Sequence, residues 1–350
     1  MTTRNFDFNG VVLVADIIQD HPPGRQVHER SDLEMSEEST VKTLSGALTT
    51  LGLLVHHYNS PASLGLNAAK HRDDLVLSIY GGRESRNRMA LVPAICEAYG
   101  LRYIGPDTYG RILCQDKEIS KNLAKSCGLS TPRWRILRRP TDIEFIETFT
   151  LPFVAKPLLE GSSIGISSRN LVHSANEGIA LSRELLRTFN QPVMIEEFIP
   201  GREVSFNCIE SSPTWVSAYS EITVEGAPAY FDDHLFDADE KQYRRLPRSV
   251  RTIDDELNCI DRVCLEALLS LISPFGYCRV DGKHLQERFV FLEITPDAWI
   301  APRGAFAASF TNRGMSYEEV IALILASAPP IPLNQSANGS GTGDGTGSEA

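Results

Sequence analysis

A lysine at the end of an apolar strand, followed at once by a loop of glycines and serines, can cover a chain of phosphates, and residues 153–168 read that way: FVAKPLLEGSSIGISS. Gly161 and Gly165 let the backbone come close to a ligand, Ser162 and Ser163 add hydroxyl and amide donors, and Lys156 brings a point charge suited to phosphate oxygens. An ordinary hairpin with a Gly/Ser turn would have the same composition, so the rest of the chain has to decide. No G-x-x-x-x-G-K-[ST] string occurs, and no G-x-G-x-x-G opens a helix after a strand. The P-loop and the dinucleotide fingerprint are thereby excluded as the source of a phosphate site.

Those side chains must be carried by several packed units, since 350 residues exceed what one hydrophobic core sustains. Apolar runs at residues 11–15, 53–58 and 74–79 read as strands, helical spacing covers 38–51 and 89–99, and Gly52 and Gly100 stand where those helices end. This β-α-β-α order implies a parallel sheet covered by helices. A short strand at 103–105 leads into a helix at 108–128 that sets Lys117 and Lys121 on one face. Strand pairs dominate residues 133–168, with a second strand expected immediately after the Gly/Ser loop; a helix at 175–189 and a strand at 193–198 follow. Beyond a Pro200-Gly201 joint, alternating segments at 203–210 and 215–223 predict antiparallel strands. The helix at 257–273 spaces its leucines as a core stripe, and strands at 277–280 and 289–294 come after it. The tail at 334–350, NQSANGSGTGDGTGSEA, is expected to be disordered.

Composition narrows the partners. A net charge of −11 argues against nucleic acid and anionic membrane, which need clustered Lys and Arg. The apolar run at 11–18 is interrupted by Asp16 and is too short to span a bilayer. Seven scattered cysteines, with no C-x-x-C pair and no histidines at zinc-finger spacing, fit reduced thiols and a cytoplasmic location.

The string MIEEFIPGREVS sets Glu196 and Glu197 at the end of a strand and Glu203 beyond a Pro-Gly bend. GLRYIGPD, QDKEISK and FVAKPLLEGSSIGIS precede it; FDADEK, CRVDG and FLEITPDAW follow it. This ordered set, across roughly residues 75–300, resembles the D-alanine:D-alanine ligase family of ATP-grasp enzymes. The resemblance implies an ATP-grasp fold of α/β and α+β class. Its parts would be a parallel α/β N-terminal domain at 1–115, a central lid domain at 116–200, a C-terminal ATP/Mg domain at 201–332, and a tail at 333–350.

By that resemblance Lys117 and Lys156 contact ATP phosphates, and Glu160, Gly161, Ser162, Ser163 and Gly165 belong to the loop that closes over them. Glu196 meets the adenine amino group, backbone groups at Glu197 and Ile199 read the base edge, and Glu203 takes the ribose hydroxyls. Lys241 matches a phosphate-contacting lysine, with a solvated charged loop as the competing reading, and joins Ser162 and Arg279 as catalytic. Asp281 and Glu293 lie on consecutive strands of a hairpin, which can bring both carboxylates to one face. Hard oxygen ligands of that kind suit Mg²⁺; two ions are expected, and Mn²⁺ suits the same ligands. Arg279, two residues before Asp281, shares its strand face and is placed to stabilise an acyl phosphate or tetrahedral intermediate.

The chain also departs from the family. There the metal Glu is followed two residues later by Asn and then by Pro-Gly; here the string is Glu293-Ile-Thr295-Pro296-Asp297-Ala-Trp299. Thr295 is assigned as the third metal ligand through its hydroxyl, with Asp297 as a substitute. Trp299 replaces a small residue near the second substrate, so the acceptor pocket should differ from one built for D-alanine. The family's Glu-Val-Ser, which holds an ammonium group, has no copy: Glu37 and Glu38 in MSEESTV stand nearest, and a solvated helix start explains them equally well. Tyr80 in YGGRES stands for a histidine, and Arg83, Arg86 and Arg88 beside it either bind a carboxylate or flank a loop. His56 and His57 fall in a strand and are expected to be structural. The implied function is ATP-dependent joining of a small amino-acid-like carboxylate to an amine through an acyl phosphate, releasing ADP and phosphate. D-Ala-D-Ala synthesis for the cell wall and a non-catalytic ATP-binding regulatory protein are the alternatives, and a homodimer is the assembly that relatives suggest.

Overall fold

The computed structural model describes residues 6–17, 34–82, 86–237 and 247–328. Arg83, Lys241 and the tail at 333–350 lie outside the described residues. Three sheets form the frame. In the first, β1 (Gly10–Val14), β2 (Leu54–Tyr58), β3 (Leu75–Ser78) and β4 (Arg102–Tyr103) run parallel in the order β2-β1-β3-β4. GVVLV in β1 and LVLS in β3 are buried throughout, the pattern of strands covered on both faces. Helix α1 (Glu38–Thr50) lays Val41, Leu44 and Leu48 against one face. Leu64 of α2 (Pro61–Asn67) and Val92 and Cys96 of α3 (Leu91–Tyr99) pack on the other, and α3 ends at Gly100, whose φ of 65° is left-handed.

The second sheet is antiparallel, in the order β5-β8-β6-β7, from β5 (Trp134–Leu137), β6 (Phe153–Pro157), β7 (Leu171–Val172) and β8 (Val193–Glu197). The apolar stripe of the helix Ala175–Phe189 covers it. The third sheet is also antiparallel and runs β11-β10-β9-β12-β13: β9 (Arg202–Ile209), β10 (Val216–Val224), β11 (Arg248–Thr252), β12 (Tyr277–Leu285) and β13 (Arg288–Thr295).

Two expectations are corrected. The helix at 108–128 is two helices, α4 (Thr108–Gln115) and α5 (Lys117–Ser126), because Asp116 takes an extended ψ of 105° and its carboxylate accepts from the amides of Glu118 and Ile119. Lys117 thus opens α5. No strand follows the Gly/Ser loop at once: Ser162 and Ser163 adopt left-handed φ values of 48° and 62°, turns close from Ile164 to Gly161 and from Ile166 to Ser163, and the ladder resumes only at β7. Gly161, Ser162 and Ser163 thereby line the cleft, while Ile164 stays in the core.

Candidate active site

A cavity of about 1280 Å³ opens between the three sheets. Its floor is the β12–β13 hairpin, where Asp281 pairs directly with Glu293, and Arg279 with Thr295. Directly opposed residues of antiparallel strands point to one face, so all four side chains meet there. Asp281 accepts from Arg279 Nε at 2.7 Å and Nη2 at 2.9 Å, from Ser205 Oγ at 2.7 Å, and from Thr295 Oγ1 at 3.3 Å. Burial works against the Arg279 charge, but the Asp281 carboxylate outweighs it and holds the guanidinium's pKa above the ordinary value. Lys117 Nζ stands 3.4 Å from Glu293 Oε2 and donates to the Glu160 carbonyl. The donor set of two carboxylates on one strand face, with a hydroxyl beside them, fits a hard divalent cation.

Lys156 leaves β6 and donates from Nζ to Glu196 Oε1 at 2.7 Å. Behind Glu196, outside the cavity wall, fully buried Lys121 pairs with the other carboxylate oxygen. Burial raises the Glu196 carboxyl, yet the two ammonium groups hold it below the usual carboxylate range. The lysines diverge. Burial depresses Lys121 to about 8, with Glu196 only partly compensating, whereas Glu196, Glu293 and Glu203 overcome burial at Lys156 and raise it. Glu196 therefore lines the cavity as the shared counterion of two lysines. Glu197 sits at the rim with Oε2 on Arg133 Nε at 3.2 Å, and its amide donates to the Arg133 carbonyl; Ile199 lines the wall. Glu203 also lines it, paired at 2.8 Å with buried Lys283, which lies directly across β12–β9 from it.

The Gly/Ser loop roofs the cleft. Ser162 lines the cavity, and Ser163 Oγ donates to the Phe236 carbonyl at 2.8 Å. Gly161 faces the cavity, its amide donating to Glu34 Oε1 at 2.9 Å. Gly165 does not line the cavity: a Cβ there would lie 2.7 Å from Phe189 and 2.8 Å from Pro157, so this glycine serves loop packing and not ligand approach. The carboxylate of Glu160 is turned away from the lysines, to Arg88 Nη2 at 3.0 Å and Gln191 Nε2 at 2.7 Å.

At the far end the cavity is bounded by Asp297, Trp299 and Arg303. Asp297 faces buried Arg111 at 3.5 Å, and burial pushes its carboxyl up. It stands as that arginine's partner, while Thr295 is the residue beside Asp281. Of the residues near the first sheet, Glu38 pairs outward with Lys42 and Glu37 touches only the cavity mouth. Glu34 is the carboxylate brought inside. Sequence reasoning missed it because the following dipeptide is Met-Ser, although Glu-x-Ser ahead of α1 keeps the spacing. Among the described arginines of the cluster, Arg88 is buried and lines the cavity, whereas Arg86 is exposed and does not. Lys121 was legible only as the neighbour of Lys117 one turn on, and Lys283 as the residue two beyond Asp281. His57 bonds the Ala15 carbonyl at 2.9 Å and His56 packs on His71, both away from the cleft.

Residues 123–326 match the family model described as D-ala D-ala ligase C-terminus. A D-alanine–D-alanine ligase of Aquifex aeolicus (strain VF5) is 24% identical over 289 residues, 82% of this chain and 93% of the relative. An uncharacterized protein of Sinorhizobium fredii (strain NBRC 101917 / NGR234) is 33% identical over 255 residues, 72% of this chain and 73% of the relative. The solved D-alanine–D-alanine ligase of Bacillus anthracis complexed with ATP superposes with a TM-score of 0.65 at 17% identity, over 91% of this chain and 97% of that one. The three sheets thus form an ATP-grasp fold, and with more than half of the sequence matching the family model, the chain belongs to the D-alanine–D-alanine ligase family.

Proposed function

We propose that the chain is an ATP-dependent carboxylate–amine ligase that joins two small amino-acid-like substrates and whose acceptor differs from D-alanine. The observation that carries this reading is the convergence of the Asp281–Glu293 pair, Arg279, Lys117, Lys156 and the Gly/Ser loop on one cavity. Lys117 and Lys156 are suited to phosphate oxygens, and Ser162 with the loop amides to the charge that builds up as phosphate is transferred. Ile199 and the Glu197 rim face the base, and Glu203 the ribose. Asp281 and Glu293 would hold Mg²⁺, with the Thr295 hydroxyl alongside, and the ion when bound neutralises phosphate charge and makes phosphorus more electrophilic.

In the first step a substrate carboxylate oxygen bonds to the γ-phosphorus while the bond to the β-bridging oxygen breaks, giving an acyl phosphate and ADP. In the second the amine attacks the acyl carbon, the carbon–oxygen bond to phosphate breaks, and the amine proton leaves with the phosphate. Arg279 supports the oxygen that carries the tetrahedral charge. Trp299 and the Asp297–Arg111 pair give the acceptor end a shape and charge pattern that favour a substrate other than D-alanine.

The test is Mg²⁺-dependent phosphate release from ATP across L- and D-amino acids, singly and in pairs, with mass spectrometry of the products. Release requiring one pair, with a product at the summed mass less water, is expected. Preference for two D-alanines would overturn the acceptor assignment. ATP binding without turnover, persisting when small-molecule cell extract is added, would overturn the ligase reading in favour of a nucleotide-binding regulator.

A further inference from the structure

Arg88 stands where three parts of the molecule meet. Its Nε and Nη2 donate to Glu34 Oε2 at 3.1 and 2.8 Å, and Nη2 also reaches Glu160 Oε2 at 3.0 Å and the Leu159 carbonyl at 3.3 Å. With the Gln115 amide oriented so that its oxygen faces Arg88, Nη1 donates to it at 2.8 Å. The other oxygen of Glu34 accepts the Gly161 amide, and a Cβ at Gly161 would lie 2.4 Å from it. The side chain is about 5% exposed, and each of its three guanidinium nitrogens is engaged by protein. Arg88 is thus committed mainly to protein contacts. It links the segment before α1, helix α4 and the root of the Gly/Ser loop.

We propose that Arg88 is a positioning residue: through Glu34 and Glu160 it fastens the phosphate-covering loop to the N-terminal sheet and so sets how tightly the cleft closes on ATP. The proposal rests on reading this loop as the phosphate cover. Without the guanidinium, Glu34 and Glu160 become two unneutralised carboxylates in a mostly buried space. The cheapest relief is for the loop to swing out and hydrate Glu160. An ATP complex would then have to restore the closed loop from its own binding energy. A lysine keeps the charge but cannot reach Glu34, Glu160, Leu159 and Gln115 from a single nitrogen, so it should rescue only in part.

The experiment uses the full chain with Arg88→Met, Arg88→Lys, Glu34→Gln and the double variant R88M/E34Q. Two readouts are taken on each folded variant: the Kd for ATP with Mg²⁺, and the rate of thermolysin cleavage within residues 158–167. Arg88→Met should weaken ATP binding and accelerate loop cleavage about 10- to 100-fold, the range of charge-assisted hydrogen bonds. Arg88→Lys should fall between it and the unsubstituted chain. The double variant should be no worse than R88M, since both residues act through one link. Once a substrate pair is known, KM for ATP should rise with kcat nearly unchanged. Loop cleavage and ATP affinity both unchanged in a folded R88M, with only the melting temperature lowered, would overturn the proposal in favour of a purely structural arginine. If R88M does not fold, Glu34→Gln carries the same two readouts and the same criterion. The proteolysis arm needs no nucleotide, so a cleft that does not bind ATP fails separately from the latch.

Discussion

Replacing Glu196 with Gln keeps the shape of the carboxylate and removes the charge that two lysines share. Lys121 is fully buried and already titrates at about 8 with Glu196 beside it; Lys156 retains Glu293 and Glu203. The loss therefore falls mainly on Lys121. Leaving one charge of a buried pair uncompensated costs about 3–5 kcal/mol. Shedding the proton limits that loss: Lys121 is already depressed to about 8 in the parent, so releasing its proton at pH 7, about one unit lower, adds only about 1.4 kcal/mol. Proton release therefore caps the loss through Lys121 at about 1.4 kcal/mol at pH 7, well below the cost of a charge left unpaired. The pH dependence separates this from a general packing defect. For a lysine with a depressed pKa the unfolded chain binds more protons between the folded and unfolded values, so stability rises with pH across that window. In the unsubstituted chain the window for Lys121 lies between about 8 and 10.5, and this group adds no slope below it. In the variant the folded value falls further, so stability should also climb between pH 6 and 8. Urea unfolding at several pH values reads this directly, and adding Lys121→Met to Glu196→Gln should recover most of the loss. A Glu196→Gln protein with the parent's flat profile below pH 8 would refute the reasoning.

Glu293→Ala should lower Mg²⁺-dependent ADP formation about 100-fold or more while leaving the circular dichroism unchanged, because this carboxylate faces the cavity and not the core; retained activity would remove it from the metal site. Arg279→Met should reduce kcat about 10²–10³-fold with ATP affinity little altered, read by steady-state kinetics beside nucleotide binding. Gly165→Ala forces a Cβ to within 2.7 Å of Phe189 at a φ of +76°, and should cost about 2 kcal/mol or more in urea unfolding. Trp299→Gly should shift the ratio of kcat/KM values between acceptor amines about tenfold, and an unchanged ratio would detach that indole from specificity.

The elements that could be read from the chain are those whose cause is local. Val11–Val14 and Leu75–Leu77 are apolar without alternation, as strands covered on both faces are, and their alternation with helices in a β-α-β-α order implied the parallel sheet. The face that carries Arg279, Asp281 and Glu293 was legible because period two puts Arg279 and Asp281 together and a short hairpin brings Glu293 opposite. Legibility ends where a partner lies far along the chain. Arg88 meets Glu160 across 72 positions and Glu34 across 54, and neither carboxylate signals the other. Lys121 and Lys283 look like solvated charges until the fold buries each against a glutamate. Residues 164–168 have the composition of a strand, but left-handed serines at 162 and 163 turn the chain before any ladder can form, a choice set by the closed loop and not by propensity. Helix Tyr317–Ala326 is apolar nearly all round, so its spacing carries no amphipathic signal even though its packing in the core explains it.

The pairing of charges in the cleft has a consequence for how ligands enter. Arg279 is clasped by Asp281, Lys117 stands against Glu293, and Lys156 is held by Glu196. A triphosphate approaching these side chains finds cations already matched, with two carboxylates of its own sign on the floor. A divalent cation at Asp281 and Glu293 would change that balance, because it would satisfy the carboxylates and free Lys117 to face phosphate oxygens and Arg279 to face the reacting groups. Metal and nucleotide must then bind with positive coupling, each improving the other's affinity by the same factor. ATP affinity without Mg²⁺ should accordingly be weak, and Asp281→Asn should weaken the enhancement by Mg²⁺ more than it weakens metal-free binding. Equal loss in both conditions would mean that the floor carboxylates contribute to the shape of the cleft and not to its charge exchange.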